Sequence, residues 1–290
     1  MSIWNQITRF VKDPPPSHLF ELSSEGIAFA HAGQSGFQPL DRGVLIPSPV
    51  EDNLLRSDLI LAAVQHVAPA NGSSKKRRPA AVILPDYAAR VTVLDFDSFP
   101  SVPDEQLSLV RFRVKKTVPF DIDSAAVTYY VQPTTGNGAA KKIEVVAVTV
   151  ALEVIARYEA LFRSAGFHPG VITTSTLAAL NLYHGDGVAV LAKLADHVLT
   201  VTVLAGNTIK LFRCVTLEDA SESEMLSVLH PTFAYVEDEL SSPARKLILS
   251  GFPPGALENM ECEVDVLRSR FGQLDACNAG LLGYMEEVAG

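Results

Sequence analysis

Hydrophobic and polar residues follow one another in short blocks along this chain, predicting a strand-rich opening and then alternating strands and helices. Leu19 to Leu22 and Ile27 to Ala30 read as two strands around Ser23-Ser24-Glu25-Gly26, and Gly43 to Ile46 is a candidate third. Asp52 to Val67 is helical by spacing, with Leu54, Leu55, Leu59, Leu61, Ala62 and Val67 apolar; Ala81 to Leu84 and Val91 to Phe96 read as strands. Arg111, Arg113, Lys115 and Lys116 then leave an apolar set at Leu109, Phe112, Val114 and Val118. This charged helix is expected to end at Pro119, because the residue before a proline avoids helical geometry. Val127, Tyr129 and Val131 alternate with Thr128, Tyr130 and Gln132, the period of a half-buried strand. Ile143 to Val150 is a further strand, followed by a helix from Ala151 to Ala165 with Gly166 as its C-cap, an order that predicts a crossover unit. Leu199 to Arg213 reads as a hairpin turning at Ala205-Gly206-Asn207. Helices follow around Ser221 to Leu229 and Thr232 to Leu240, and Arg245 to Ser250 is a strand.

Ahead of the first strand, Ile3, Trp4, Ile7, Phe10 and Val11 fall on one stripe of a short helix that Pro14-Pro15-Pro16 stops. Packing on its own domain and docking on a membrane or partner are both open to it; its few basic residues predict a protein surface rather than lipid. With 290 residues, 48% hydrophobic and 20% charged, the chain is large enough to bury a core of one or two lobes. No apolar run reaches the roughly 18 residues of a membrane span and no signal segment opens the chain, so a cytoplasmic location is expected. A net charge of -9 argues against general nucleic-acid affinity. The local exception, Lys75 to Arg78, reads as a solvated loop, with anionic lipid or nucleic acid as the alternative contact. Cys214, Cys262 and Cys277 lack metal-ligand spacing and are expected as buried free thiols. The seven histidines show no i,i+4 pair, and neither a nucleophile elbow nor a Gly-Lys-Ser/Thr phosphate loop is present.

The charged helix, the break at Pro119 and Phe120, and the acidic turn Asp121-Ile122-Asp123 resemble the inserted subdomain of the PilM family of type IV pilus assembly proteins, which are cytoplasmic and actin-like. Pro103 with Asp104, Glu105 and Leu107 before that helix, and the stretch from Glu144 to Leu180, extend the resemblance to about a third of the chain. It implies an α/β actin-like (ribonuclease H-like) two-lobed fold with an inserted subdomain and a reduced second lobe. The implied division is 1–16 for the helix and proline linker, 17–86 for the first lobe, 87–150 for a partner-binding insertion, 151–180 for a crossover completing the first lobe, and 181–290 for the second lobe.

Actin-like folds hold ATP between their lobes on two hairpins, each marked by Asp with Gly two residues later, and on a glycine-rich turn beside the adenosine. Glycine lets backbone amides approach phosphate, and carboxylates hold magnesium. By this resemblance Glu21 stands at the first Asp position, Ser23 at its Gly position and Ser24 beside it; with Leu199 to Arg213 taken as the second hairpin, Lys193 and Ala195 stand at the second pair. A lysine there repels the metal, although Asp196 is near enough to compensate if the register is shifted. The third motif retains Gly251, with Phe252 crowding the base pocket, and only about 28 residues separate Leu217 from Lys246, where the family places a whole subdomain. Glu21, Ser23, Ser24 and Gly251 therefore read as a vestigial nucleotide site. No cofactor is expected, with ATP and magnesium the alternative if the hairpin registers differ.

The function the resemblance implies is a non-catalytic scaffold of a pilus or related inner-membrane machine, peripheral to the membrane through its partner and linked to other pilus assembly proteins. The partner would be the cytoplasmic peptide of a PilN-like membrane protein, held in a groove between the first lobe and the insertion from Tyr87 to Val150. Arg111, Arg113 and Phe120 are the first-choice contacts, core packing of Phe120 being the alternative. A working actin-like ATPase, or a type II secretion component resembling GspL, are the other readings.

Overall fold

The computed structural model describes residues 15–69, 77–133 and 142–289; the N-terminal stripe, with Lys75 and Lys76, lies outside them. In the first lobe β1 (His18–Leu22), β2 (Gly26–His31) and β3 (Gln34–Pro39) run antiparallel, while β4 (Arg78–Leu84) and β8 (Phe167–Thr174) lie parallel to β1, giving the order β3-β2-β1-β4-β8. The second lobe repeats this plan. Its strands β9 (Val188–Ala195), β10 (Val198–Ala205) and β11 (Thr208–Thr216) are antiparallel, β12 (Lys246–Ser250) and β13 (Glu263–Val266) are parallel to β9, and the order is β11-β10-β9-β12-β13. Two sheets of one connectivity facing each other are the two-lobed actin-like architecture.

Between β4 and β8 the chain builds an insertion of β5 (Arg90–Phe96), β6 (Ala125–Val131) and β7 (Ile143–Ala151), an antiparallel sheet ordered β5-β7-β6. In the first lobe, helix α1 (Ser57–Val67) covers the sheet; in the insertion, α2 (Pro103–Val114) packs over Leu94, Phe96, Val145 and Ala147. Helix α3 (Leu152–Ser164) returns to the first lobe, burying Tyr158 and Phe162 beside Phe20 and Phe167. The opposite face of the insertion's sheet lies on the second lobe, where Val146 joins Leu191, Leu204 and Ile209 in one core. Short helix α4 (Ser175–Ala179), and α6 (Ala279–Ala289) pressed against it, join the lobes, and α5 (Glu222–Leu240) alone bridges β11 to β12. The second lobe thus has a five-stranded sheet and one helix between β11 and β12. Among the described residues no helix is long and apolar enough to cross a membrane.

Several expectations change. The third strand is Gln34–Pro39, reached through a turn with Ala32 and Gly33 both at positive φ (50° and 79°), whereas Val44 and Leu45 are buried in a loop. An edge strand whose residues are mostly exposed carries no apolar alternation to reveal it. Helix α1 starts at Ser57 rather than Asp52, because buried Asn53 bonds the backbone of Ser48 and Glu51 and closes the preceding loop. Helix α2 stops at Val114, short of Pro119, where Thr117 N–H and Oγ1 both donate to the Val114 carbonyl. Its buried side chains are Val110 and Val114, one turn apart, and Phe112 stands 72% exposed on the far side. Strands β7 and β8 belong to different sheets, so strand, helix, strand is no crossover within one sheet. One helix with Pro231 inside it replaces the two expected around Ser221 to Leu240.

Arg78 is no solvated loop residue: it lies in β4, donates to the carbonyls of Ala68 and Pro69 at 3.0 Å, and sits 4.0 Å over the Phe167 ring. The histidines are less scattered than the sequence suggests, since His18 and His31 stack across β1 and β2 at 3.7 Å. Cys277 is buried, while Cys214 and Cys262 are half-buried; all three are free.

Gly283 marks the tightest helix contact, where an added Cβ would lie 2.1 Å from the Ala178 carbonyl oxygen. Gly283→Ala is expected to destabilise the protein by roughly 1–3 kcal/mol through overpacking, read from the denaturant midpoint. Gly170→Ala, with open space around its Cβ, is expected to stay within about 0.5 kcal/mol of wild type.

Candidate functional site: the cleft between the lobes

Each lobe begins with a hairpin whose first strand ends at the cleft, and strand alternation turns Glu21 of β1 and Lys193 of β9 toward it. Between them Asp86 follows β4 after Pro85, and Ser175 and Thr176 open α4. All three charged side chains are buried, Glu21 at 2%, Asp86 at 5% and Lys193 at 3% exposure. Such burial is tolerated only when each charge is paired and hydrogen-bonded. Lys193 Nζ stands 3.2 Å from Asp86 Oδ2. Asp86 also accepts from Thr176 N at 2.7 Å, Thr176 Oγ1 at 2.6 Å and Thr200 Oγ1 at 3.2 Å. Glu21 accepts from Ser175 Oγ and, at 2.6 Å, from the Leu281 amide in the first turn of α6, where the helix dipole favours a carboxylate.

Burial pushes the Glu21 carboxyl up to about 7, against the pull of Lys193 and its two donors. Burial also works to lower the Lys193 pKa, but Asp86 and Glu21 together outweigh it and leave it raised, so the ammonium stays charged. Desolvation likewise lifts the Cys214 thiol, 3.5 Å from Thr200 Oγ1, to about 12. The buried site therefore contains one cation of the second lobe facing two acidic side chains, Asp86 and Glu21, of the first.

The hairpin tips meet above this group. Ser24 Oγ donates to Asp196 Oδ2 at 3.1 Å, and Asp196 takes a positive φ of 53° at the tip of the second hairpin. Ser23 folds back on its own turn, its hydroxyl donating to the Gly26 carbonyl at 3.0 Å. The space left among Glu21, Ser23, Asp86, Ser175, Lys193 and Asp196 is about 40 Å³, against roughly 300–1,000 Å³ for pockets that enclose small molecules. Gly251 has φ 77°, and an added Cβ would lie 2.1 Å from the Leu194 carbonyl oxygen and 2.9 Å from the Ala276 Cα. Glycine is required there by the close approach of two chain segments. Phe252 packs at the edge of the second lobe's core and lines an open cavity of about 670 Å³ beyond the turn.

These residues do not fit magnesium-ATP. Lys193 already fills the place of a cation beside Asp86, and the space left among these side chains, about 40 Å³, has no room for a triphosphate. Asp86, Ser175, Thr176 and Thr200 escaped the sequence reading. The only local signals were a proline-aspartate pair closing a strand and a run of small hydroxyl residues from Thr173 to Thr176.

The residues expected at a partner groove lie on the insertion. Arg111 is held internally, donating to the carbonyls of Ile122 at 2.5 Å and Ala125 at 3.3 Å and pairing with Asp123 at 3.5 Å. Arg113 is exposed and stands 5.0 Å over the Phe96 ring, while Phe120 is half-buried against the insertion's core.

No protein-family model matches the chain, and no curated protein matches it in sequence. Its fold is that of the actin-like ATPases. A solved PilM-PilN type IV pilus biogenesis complex covers 96% of this chain and 100% of its own at 12% identity and a TM-score of 0.69. The cytoplasmic domain of EpsL, an inner-membrane component of the type II secretion system of Vibrio cholerae, covers 94% of each chain at 13% identity and a TM-score of 0.54. A Bacteroides thetaiotaomicron protein of unknown function with an actin-like ATPase fold covers 96% and 97% at 11% identity and a TM-score of 0.52.

Glu21 makes stability depend on pH with a defined sign. Folded, it keeps its proton up to about 7, and unfolded it loses it near 4.5, so the folded state binds more protons in between and stability falls as pH rises through that window. Relative to Glu21→Gln, wild type is expected to lose up to about 1.4 kcal/mol per pH unit there, measured by urea unfolding of both proteins at matched pH. Parallel profiles would remove Glu21 as the cause.

Proposed function

We propose that this chain is a non-catalytic actin-like adaptor of a type IV pilus or related inner-membrane machine, peripheral to the membrane through a partner whose short cytoplasmic tail it holds. The observation that carries this reading is the cleft floor, where a buried ammonium stands among acidic side chains and leaves no room for a phosphate chain between the hairpins. The frame of the fold persists without the groups its chemistry would need. Its likeness in fold to the PilM-PilN complex supports a PilN-like tail as the partner. The likeness to cytoplasmic EpsL favours a type II secretion machine as the second reading.

The proposed capture site is the groove between the first lobe and the insertion, using backbone pairing along a sheet edge with side-chain pockets. Arg113 and Phe120 are its proposed contacts, with Arg111 bracing the turn that carries Phe120. The exposed ring of Phe112 beside Arg113 adds an apolar anchor.

Fluorescence anisotropy with a labelled peptide of the PilN homologue's cytoplasmic tail tests the site. Arg113→Glu and Phe112→Ala are each expected to weaken binding about tenfold, on the order of 1.4 kcal/mol, with unchanged melting temperature. Arg111→Glu is expected to lower the melting temperature, because two carbonyls lose their donor. Unchanged affinity in the first two variants would place the site elsewhere.

The purified chain is also expected to release phosphate from ATP no faster than buffer does. Calorimetry showing sub-micromolar magnesium-ATP binding would contradict the non-catalytic reading.

A further inference from the structure

We propose that Lys193 is a built-in cation that locks the two lobes together, so that the cleft is closed without nucleotide or metal. This goes beyond the adaptor reading and stands whether or not the chain holds a membrane-protein tail. Lys193 belongs to β9 of the second lobe, and Asp86 and Glu21 belong to the first. The Lys193–Asp86 contact at 3.2 Å therefore spans the cleft. Asp86 is a buried carboxylate that needs positive charge nearby, and Glu21 adds a second negative charge when it ionises. A dissociable ion would supply the positive charge only in proportion to its concentration, whereas a side chain anchored in the facing sheet supplies it at a fixed effective concentration.

The rest of the interface is built for the same closed state. At the mouth of the cleft Ser24 bonds Asp196, 3.1 Å across the two hairpin tips. On the insertion's side the Gln132 side chain acts as one more strand residue on the edge of β11, its amide donating to the Ile209 carbonyl and accepting from the Ile209 N–H, both at 2.7 Å. Lys210 of β11 pairs with Glu144 of β7 at 2.6 Å, with both side chains mostly buried. The second lobe is thus tied to the first at the cleft floor and mouth, and to the insertion along β11.

The test is Lys193→Ala, with Lys193→Met as the variant that keeps most of the side-chain volume. Without the cation, both are expected to melt roughly 10 °C below wild type and to show a larger radius of gyration by small-angle X-ray scattering. In Lys193→Ala, n-propylammonium, which matches the deleted atoms, is expected to restore the compact form and the melting temperature. Tetramethylammonium at the same ionic strength is expected not to. Either variant as compact and stable as wild type, or no rescue by propylammonium, overturns the lock. Should Lys193→Ala fail to fold, Lys193→Met and wild type decide. Wild-type scattering is expected to superimpose in EDTA and in millimolar magnesium-ATP, and curves that differ between the two overturn the proposal. ATP hydrolysis by wild type would contradict the adaptor reading while leaving the Lys193 variants to judge the lock.

Discussion

Everything in the cleft depends on an ammonium group that has nowhere else to go. Lys193 is buried, and its charge is tolerable only because Asp86 lies 3.2 Å away and Glu21 is close. That pairing fixes the ends of β1, β4 and β9 relative to one another. The carboxylates are in turn held by the first turns of α4 and α6, so one ion pair organises five elements from both lobes. Removing either partner would leave an uncompensated buried charge, a far greater cost than the pair's own net contribution.

The insertion makes the second long-range connection. Its sheet has one face under α2 and the other on β11, so it is packed between a helix of its own and the opposite lobe. Gln132 shows how this is done locally: a buried side-chain amide completes the hydrogen bonding of an edge-strand residue that would otherwise be left unpaired. An insertion held this way presents the outer face of α2, with Phe112 and Arg113, on a rigid support.

Fold and function separate cleanly in this protein. Two sheets of identical strand order define the actin-like frame whatever occupies the cleft, and two structures of this fold sharing 12% and 13% identity with the chain come from a type IV pilus biogenesis complex and a type II secretion system. What this chain does has to be argued from its own cleft and surface.

The sequence by itself determined the elements with strong periodicity and the positions at which the residues depart from the actin-like nucleotide motifs. The strands around Ser23-Ser24-Glu25-Gly26 and the helix stopped just before Gly166 were legible because turn residues and apolar repeats act locally; the hairpin at Gly206 and Asn207 was legible too, but the one that reaches the cleft is β9–β10, turning at Asp196 and His197. Lys193 in place of a carboxylate was likewise visible as a misfit. Only the tertiary structure decided what became of it. Asp86 stands 107 residues from Lys193 along the chain and Ser175 stands 154 from Glu21, and no local pattern encodes a contact over such separations. The same holds for Phe112. Its hydrophobicity suggested a core position, but which side of α2 is buried was set by the sheet beneath Val110 and Val114, and the ring was left in solvent. Periodicity tells which residues share a face; only packing tells which face has a neighbour.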